Sequence, residues 1–182
     1  MSTSSCRLLF ILGMVAAGAV MGETPNLGQP ANQALIALWD ISVAPDGTGL
    51  PPGHGSAAEG QAIYQAKCLG CHGEAGRGGL ADQLTGGIGS LSSGNPVKTV
   101  ASFWPYSTTL FDYIRRAMPV MMPQSLTNDE NYALCAYLLS IDHIIAPDMT
   151  LDAETLPKVK MPNRNGFVSA WPAIEQVRSP EH

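Results

Sequence analysis

The five residues Cys68-Leu69-Gly70-Cys71-His72 constrain this chain more than any other part of its sequence. Two cysteines separated by two residues and followed at once by a histidine have the spacing of covalent c-type haem attachment. The thiols can add to the two vinyl groups at one edge of a porphyrin, and the histidine can then reach the iron from one face. The motif occurs once, so it predicts a single covalently bound haem c.

Two other uses of paired cysteines are weaker interpretations of this motif. A structural zinc site needs further ligands, usually a second Cys/His pair, and no such pair has the required spacing. A thioredoxin-like dithiol belongs in a βαβ unit, for which the sequence has no pattern. Cys135 stands alone within a helical pattern, and we expect it to be a buried, unreactive apolar residue.

Residues 1–22 have the architecture of a secretory signal peptide. Arg7 precedes a short apolar run that starts at Leu8, and small residues follow up to a cleavage site near Val20-Met21-Gly22. The run is too short and too rich in Ala and Gly to favour a permanent membrane span, although an uncleaved anchor is the alternative. We therefore expect a periplasmic protein, which fits a haem that is attached outside the cytoplasm.

The charge of the chain limits its partners. The formal net charge is -5, and two haem propionates would make the folded protein more acidic still. Nucleic acids and anionic membranes are therefore poor partners for it. The length of 182 residues suits one domain with extensions.

The middle of the chain, residues 56–144, predicts an all-α domain with three main helices. Capping boxes at Ser56/Glu59 and Thr127/Glu130 mark the starts of the first and third helices. A second helix is expected from about residue 108 to residue 117, with Leu110, Ile114 and Met118 on one face and Pro119 ending it. The haem motif then lies at the end of the first helix.

Irregular segments surround and interrupt this domain. Residues 23–55 and 145–182 are rich in turn-forming residues, and we expect them to form irregular extensions. Within the first extension only residues 34–39 are expected to be ordered, as a short strand or a helical turn. The Gly/Ser-rich loop of residues 73–96 is long for a compact domain, but glycine lets a backbone approach a flat macrocycle closely.

The sixth iron ligand is expected from the Met-Pro loop between the second and third helices. A thioether sulfur favours reduced iron and raises the potential relative to bis-histidine ligation. Met118 is our first choice and Met122 our second, although any of these methionines could instead pack in the core. Weaker candidates are Met121, Met161, His54 and His143.

Four further side chains could bind the haem propionates. Aromatic N–H and O–H groups can donate to a carboxylate while the ring covers the edge of the porphyrin, and arginine can pair with the same group. The candidates are Trp104, Tyr106, Arg115 and Arg116. Surface charge and ordinary core packing are equally good explanations of these residues.

A helix that ends in CxxCH, a Gly-rich loop, a Met-Pro loop and a final amphipathic helix together resemble a class I cytochrome c over about residues 56–144. Longer strings resemble the cytochrome subunit of bacterial sulfite and sulfane dehydrogenases. These strings are Gly49-Leu50-Pro51-Pro52-Gly53, Trp104-Pro105-Tyr106, Thr109-Leu110-Phe111-Asp112-Tyr113-Ile114-Arg115-Arg116-Ala117-Met118-Pro119 and Lys160-Met161-Pro162-Asn163-Arg164.

The resemblance implies an electron-transfer subunit with no activity of its own. In that family a molybdenum-cofactor subunit oxidises a sulfur compound, and the cytochrome passes the electrons to a downstream soluble cytochrome or oxidase. The family's methionine ligand maps onto Met118.

Two alternative functions are a haem enzyme that acts directly on a small substrate, such as a peroxidase or a thiosulfate-oxidising cytochrome, and a haem-based sensor. A haem enzyme would need acid–base groups near the iron, and such groups are scarce in the Met-Pro loop. A sensor would need an output domain, and no part of the sequence resembles one.

Overall fold

The computed structural model describes residues 28–168 of the chain, which divides into two compact units at Trp39 and Asp40. The described part of the first unit is a short helix, α1 (Gln33–Trp39), whose first turn is capped by the side chain of Asn32. The segment expected to be a strand or a helical turn is therefore helical. Its apolar side chains face solvent, with Leu38 73% and Trp39 80% exposed.

The second unit contains three main helices, as predicted, together with shorter elements. The three are α2 (Ala57–Lys67), α5 (Ser107–Ala117) and α6 (Asn128–Ile141). The shorter elements are β1 (His54–Ser56), α3 (Leu69–His72), α4 (Val100–Phe103) and β2 (Thr150–Asp152), with 3₁₀ turns at Glu74–Gly76, Ser90–Ser92 and Leu156–Lys158.

Both predicted capping boxes are confirmed. The Glu59 N–H donates to Ser56 Oγ, while the Ser56 N–H donates back to the Glu59 carboxylate at 2.8 Å. The Thr127/Glu130 pair repeats this exchange at the start of α6. These bonds satisfy amide groups that a helix start otherwise leaves unpaired, so each helix begins at a defined residue.

The backbones of α2 and α6 lie in direct contact. A Cβ atom built on Gly60 would overlap the carbonyl oxygen of Ala133, and one on Gly55 would overlap the Ala133 backbone. Farther along α2, the rings of Tyr64 and Tyr137 pack with centroids 5.3 Å apart. Only glycine permits so close an approach, and this contact fixes the direction in which α2 runs toward the haem motif.

A charge pair connects the same two helices. Lys67, in the last turn of α2, pairs with Glu130 in the first turn of α6. The hydrogen bond from Lys67 is the main cause that holds the pKa of Glu130 below its ordinary value, with further donors in Thr127.

The α5 helix buries the face that its sequence pattern predicts. Leu110, Phe111 and Ile114 belong to the core, and the Phe111 ring packs against Tyr132 of α6 at a centroid distance of 4.5 Å. The helix ends at Ala117, and Met118 follows it with a half-buried side chain that packs on the core.

The described part of the segment after α6 is largely irregular, and it contributes to the core. Strand β2 pairs antiparallel with β1, with His54 opposite Asp152 and Ser56 opposite Thr150. Strands of three residues are too short to show alternation in the sequence. Four side chains of the segment are buried in the core: Ile145, Leu151, Leu156 and Met161. The domain boundaries at residues 56 and 144 stay a prediction.

The segment that precedes β1 is attached to α5. The Val43 N–H donates to the Asp112 carboxylate at 3.0 Å, and the Arg115 guanidinium donates to the Ile41 carbonyl at 3.3 Å. Asp112 also pairs with Arg116, one helical turn farther along, at 2.7 Å. These bonds fasten an irregular stretch of chain to the helix that ends beside Met118.

Between residues 28 and 168, the structure contains no helix with both the length and the hydropathy that a membrane span requires.

The contact at Gly60 can be tested by adding one methyl group. We expect Gly60→Ala to lower the free energy of unfolding by about 1–3 kcal/mol, because the helices must move apart. This loss opposes the gain in helix propensity of ~1 kcal/mol that Ala has over Gly. The control is Gly94→Ala in an open loop, where the added Cβ meets nothing within 4 Å. Urea denaturation of the haem-loaded protein measures the free energy of unfolding of both variants. Equal values would contradict the conclusion that the α2 and α6 backbones touch at Gly60.

Candidate functional site

The haem motif occupies a single helical turn. The Cys68 N–H closes α2 by donating to the Tyr64 carbonyl at 2.8 Å. The Cys71 and His72 N–H groups then both donate to the Cys68 carbonyl, at 3.1 and 3.0 Å. Residues three and four positions apart on a helix share a face, so the two thiols and the imidazole are presented on one side of this turn.

The turn ends at a glycine that the geometry requires. Gly73 has φ of 75°, and a Cβ there would overlap the Arg77 carbonyl. The Tyr64 hydroxyl donates to the Gly73 carbonyl at 2.8 Å. Burial, followed by the nearby Cys68 thiol, raises the pKa of Tyr64 to about 12, so its hydroxyl remains a donor at neutral pH.

A backbone carbonyl orients the predicted iron ligand. His72 Nδ1 lies 2.9 Å from the carbonyl oxygen of Asp82. In the tautomer in which Nδ1–H donates this bond, Nε2 carries the lone pair that a metal needs. The loop of residues 73–96 therefore helps to fix the orientation of the imidazole ring.

One backbone bond ties the loop to the haem-binding turn, and a second joins two parts of the loop itself. The Ala81 N–H donates to the Cys71 carbonyl at 2.8 Å, and the Leu84 N–H donates to the Gly76 carbonyl at 2.9 Å. Asp82 lies between these two attachment points, so its carbonyl is held on both sides.

A carboxylate at the end of α6 anchors the middle of the loop. Both oxygens of Asp142 accept the Gly86 N–H, at 2.9 and 2.7 Å, and Oδ1 also lies 3.4 Å from the Arg77 guanidinium. Arg77 donates in turn to Thr85 at 3.0 Å. The hydrogen bonds of this group join the loop to the same helix that packs against α2.

The cysteines differ in their surroundings. Burial raises the pKa of Cys68 to about 11, whereas Cys71 is exposed. Cys135 is fully buried, and burial raises the pKa of its thiol as well. It is therefore an unreactive core residue, as expected. Among the described cysteines, Cys68 and Cys71 are the two that lie on the haem-binding turn.

The methionine side chains differ in how exposed they are. Met118 is half-buried against the core at the end of α5, and its N–H donates to the Ile114 carbonyl at 2.9 Å. Met121 and Met122 are 87% and 63% exposed, whereas Met161 is 3% exposed and enclosed by the core. A ligand must be supported by protein without being enclosed by it, and the half-buried Met118 meets both conditions. Met122 remains the second choice, and none of these assignments is tested by the geometry alone.

The other candidate residues lie at several places. His54 and His143 are exposed, the first in β1 and the second in a left-handed turn after α6. The Trp104 ring packs edge-on against Tyr113 at 5.6 Å, and the Arg164 guanidinium lies over the Tyr106 ring at 4.0 Å. Arg115 and Arg116 are already bonded to Ile41 and Asp112. Propionate binding by Trp104, Tyr106 and Arg115 stays a prediction.

The donor set fits a covalently attached haem. Two thiols share a face with an imidazole whose Nε2 is free, and a supported thioether lies at the end of α5. Glycine-bounded turns beside the motif let the backbone approach a flat group closely.

Comparison with known proteins agrees with this geometry. A family model described as cytochrome c matches residues 57–142. A chain in the crystal structure of the sulfane dehydrogenase SoxCD from Paracoccus pantotrophus is similar at 39% identity with a TM-score of 0.75, covering 86% of this chain and 77% of that one. The chain belongs to the cytochrome c family. None of the curated proteins compared with it matches.

Membership in the cytochrome c family confirms the predicted fold class and implies covalently bound haem c. Sequence reasoning missed three groups that position the site: the Asp82 carbonyl, the Tyr64 hydroxyl and the Asp142 carboxylate. The first is a backbone atom, which no residue type reveals. The capping position of Asp142 at the end of α6 was a weak signal for the third.

The assignment of Met118 can be tested by spectroscopy. We expect Met118→Ala to abolish the weak far-red absorption band of a methionine–iron bond and to let the ferrous protein bind CO, because no sulfur then occupies the sixth position. The matched control is Met121→Ala, which should retain the band, and Met122→Ala tests the second choice. Loss of the band in Met122→Ala and its retention in Met118→Ala would contradict the assignment.

Proposed function

We propose that this cytochrome c is the periplasmic, monohaem electron-transfer subunit of a molybdenum-containing dehydrogenase that oxidises sulfite or a sulfane compound. The single observation that carries the proposal is the 39% identity, over 86% of this chain, to a chain of the sulfane dehydrogenase SoxCD. A likeness of this extent includes residues on both sides of the segment that the family model matches.

The proposed task of the protein is to hold a redox centre and not to bind a substrate. Haem c supplies an iron that cycles between the ferrous and ferric states, one electron at a time. In the proposed assignment Cys68 and Cys71 would tether the ring, and His72 and Met118 would ligate the iron. The Asp82 carbonyl fixes the imidazole, so the ligand set need not rearrange when the charge changes.

The side chains around the sixth position support electron transfer over catalysis at the iron. Residues 119–124 are Pro, Val, Met, Met, Pro and Gln, none of which is an acid or base at neutral pH. Direct haem chemistry on a small substrate would need such groups and an exchangeable ligand.

The single CxxCH motif supports one haem, and the signal-type leader supports a periplasmic location. The leader lies outside the described residues. The electron donor in this proposal is the molybdenum subunit, and the acceptor is a downstream soluble cytochrome or oxidase.

The proposal is tested by following the reduction of the haem. The purified ferric protein is mixed with sulfite, or with thiosulfate, with and without a purified molybdenum-containing sulfite or sulfane dehydrogenase subunit. We expect no reduction by either compound alone, rapid reduction when the subunit is added, and one electron taken up per chain. Reduction without that subunit, or CO binding to the ferrous wild-type protein, would favour a haem enzyme instead.

Docking of the subunit is expected to use the extensions. Leu38 and Trp39 are the most exposed apolar side chains of α1, and Trp171, the matching anchor in the other extension, lies outside the described residues. We expect Trp39→Ala, and separately deletion of the residues after Asn165, to weaken co-purification with the molybdenum subunit at least fivefold while haem content stays unchanged.

The matched control for this experiment is Met121→Ala, which removes a similarly exposed apolar side chain from the Met-Pro loop, outside both extensions in sequence. Unchanged co-purification of both extension variants would rule out docking through these segments. It would leave the reduction experiment, and with it the proposed function, to be decided separately.

A further inference from the structure

Three positive charges lie close together in the segment after β2. They belong to Lys158, Lys160 and Arg164. The ion pairs of the described residues are Lys67–Glu130, Arg77–Asp142 and Arg116–Asp112, so none of the three cations lies within ion-pair distance of a described carboxylate. Lys158 contributes only the last of several causes that lower the pKa of Asp152, after the hydrogen bonds from Thr155. Such a concentration of cations is unexpected in a chain of net charge -5.

The segment that carries these cations is held rigidly. Leu156 and Met161 are buried in the core, before and within the run of charges. The Ser107 hydroxyl donates to the Leu156 carbonyl at 2.6 Å, and the Asn163 amide donates to the Phe103 carbonyl at 2.7 Å. Binding of a ligand here would therefore cost little conformational entropy, because the protein backbone is already ordered.

Arg164 is pre-oriented by an aromatic ring. Its guanidinium carbon lies 4.0 Å from the centroid of the Tyr106 ring. A stacked guanidinium keeps its N–H groups free at the edge, where they can donate two parallel hydrogen bonds to one oxyanion.

A cavity of about 170 Å³ lies between these groups. Its walls include Tyr106, Pro157 and all three cations, and no acidic side chain lines it. Pockets for drug-sized ligands measure roughly 300–1,000 Å³, so this cavity suits only a small ligand. A broader depression lined by residues 160–166 adjoins it and shares Lys160 and Arg164.

We propose that the cleft formed by Tyr106, Lys158, Lys160 and Arg164 is a binding site for a small divalent oxyanion of the sulfate or phosphate type. Arg164 donates two hydrogen bonds from its exposed edge, and the two ammonium groups neutralise the remaining charge. The site uses none of Cys68, Cys71 and His72, but it shares Tyr106 with the residues predicted to bind the haem propionates. Its test therefore measures anion binding to the haem-loaded protein and not electron transfer.

The test is calorimetric titration of the full-length, haem-loaded protein with sodium sulfate, repeated with sodium phosphate, each at an ionic strength held constant with sodium chloride. We expect saturable binding of one sulfate or phosphate per chain, and the tighter of the two identifies the anion. Arg164→Gln and Lys160→Gln should each weaken binding at least tenfold. The charge-matched control is Lys98→Gln, whose ammonium lies over Phe103, because this lysine does not line the cleft.

Folding of each variant is checked by its haem spectrum and its thermal midpoint. Heats that do not saturate, or that chloride alone reproduces, would overturn the proposal. The proposal would also be overturned if Lys98→Gln weakened anion binding as much as the cleft variants do, because the anion would then be attracted by the overall charge of the protein. If the propionates of the bound haem already fill the cleft, neither anion binds the haem-loaded protein, and that outcome refutes the site for a free oxyanion as well.

Discussion

The main-chain contact between α2 and α6 at Gly60 determines where the haem-binding turn lies. Because no side chain separates the two backbones, α2 has one available path across α6, and Cys68 falls at its end. The paired rings of Tyr64 and Tyr137 and the charge pair of Lys67 with Glu130 hold the helices at other points along the crossing. The whole motif, from Cys68 to His72, follows in the next turn of the chain and inherits its placement from this contact.

The loop after the motif completes the site from the other side. It is bonded to the turn through Cys71 and to α6 through Asp142, so it bridges the two parts of the molecule that the Gly60 contact already positions. The carbonyl of Asp82 lies within this bridge. The Asp82 carbonyl orients the His72 imidazole, and its own position depends on the bond from the loop to α6. A long glycine-rich segment can therefore hold a ligand in a fixed orientation.

Local patterns were sufficient to predict the helices and the haem motif. The capping boxes at Ser56 and Thr127 act within four residues, and the apolar face of α5 depends on spacing alone, so both are readable in the sequence. The contribution of residues 145–168 to the core was not readable. Leu151, Leu156 and Met161 are isolated apolar residues among turn formers, and they are buried through contacts distant in sequence. The bond from His72 to a backbone carbonyl was equally hidden, because it depends on the path of a loop and not on any side chain.

The attachment of the segment before β1 to α5 has a mechanical consequence. Val43 and Ile41 are bonded to Asp112 and Arg115, and Met118 follows the same helix by less than one turn from Arg115. The stretch of chain from Ile41 to Val43 and the second half of α5 are therefore held by shared hydrogen bonds, so a change in the position of either one bears on the other.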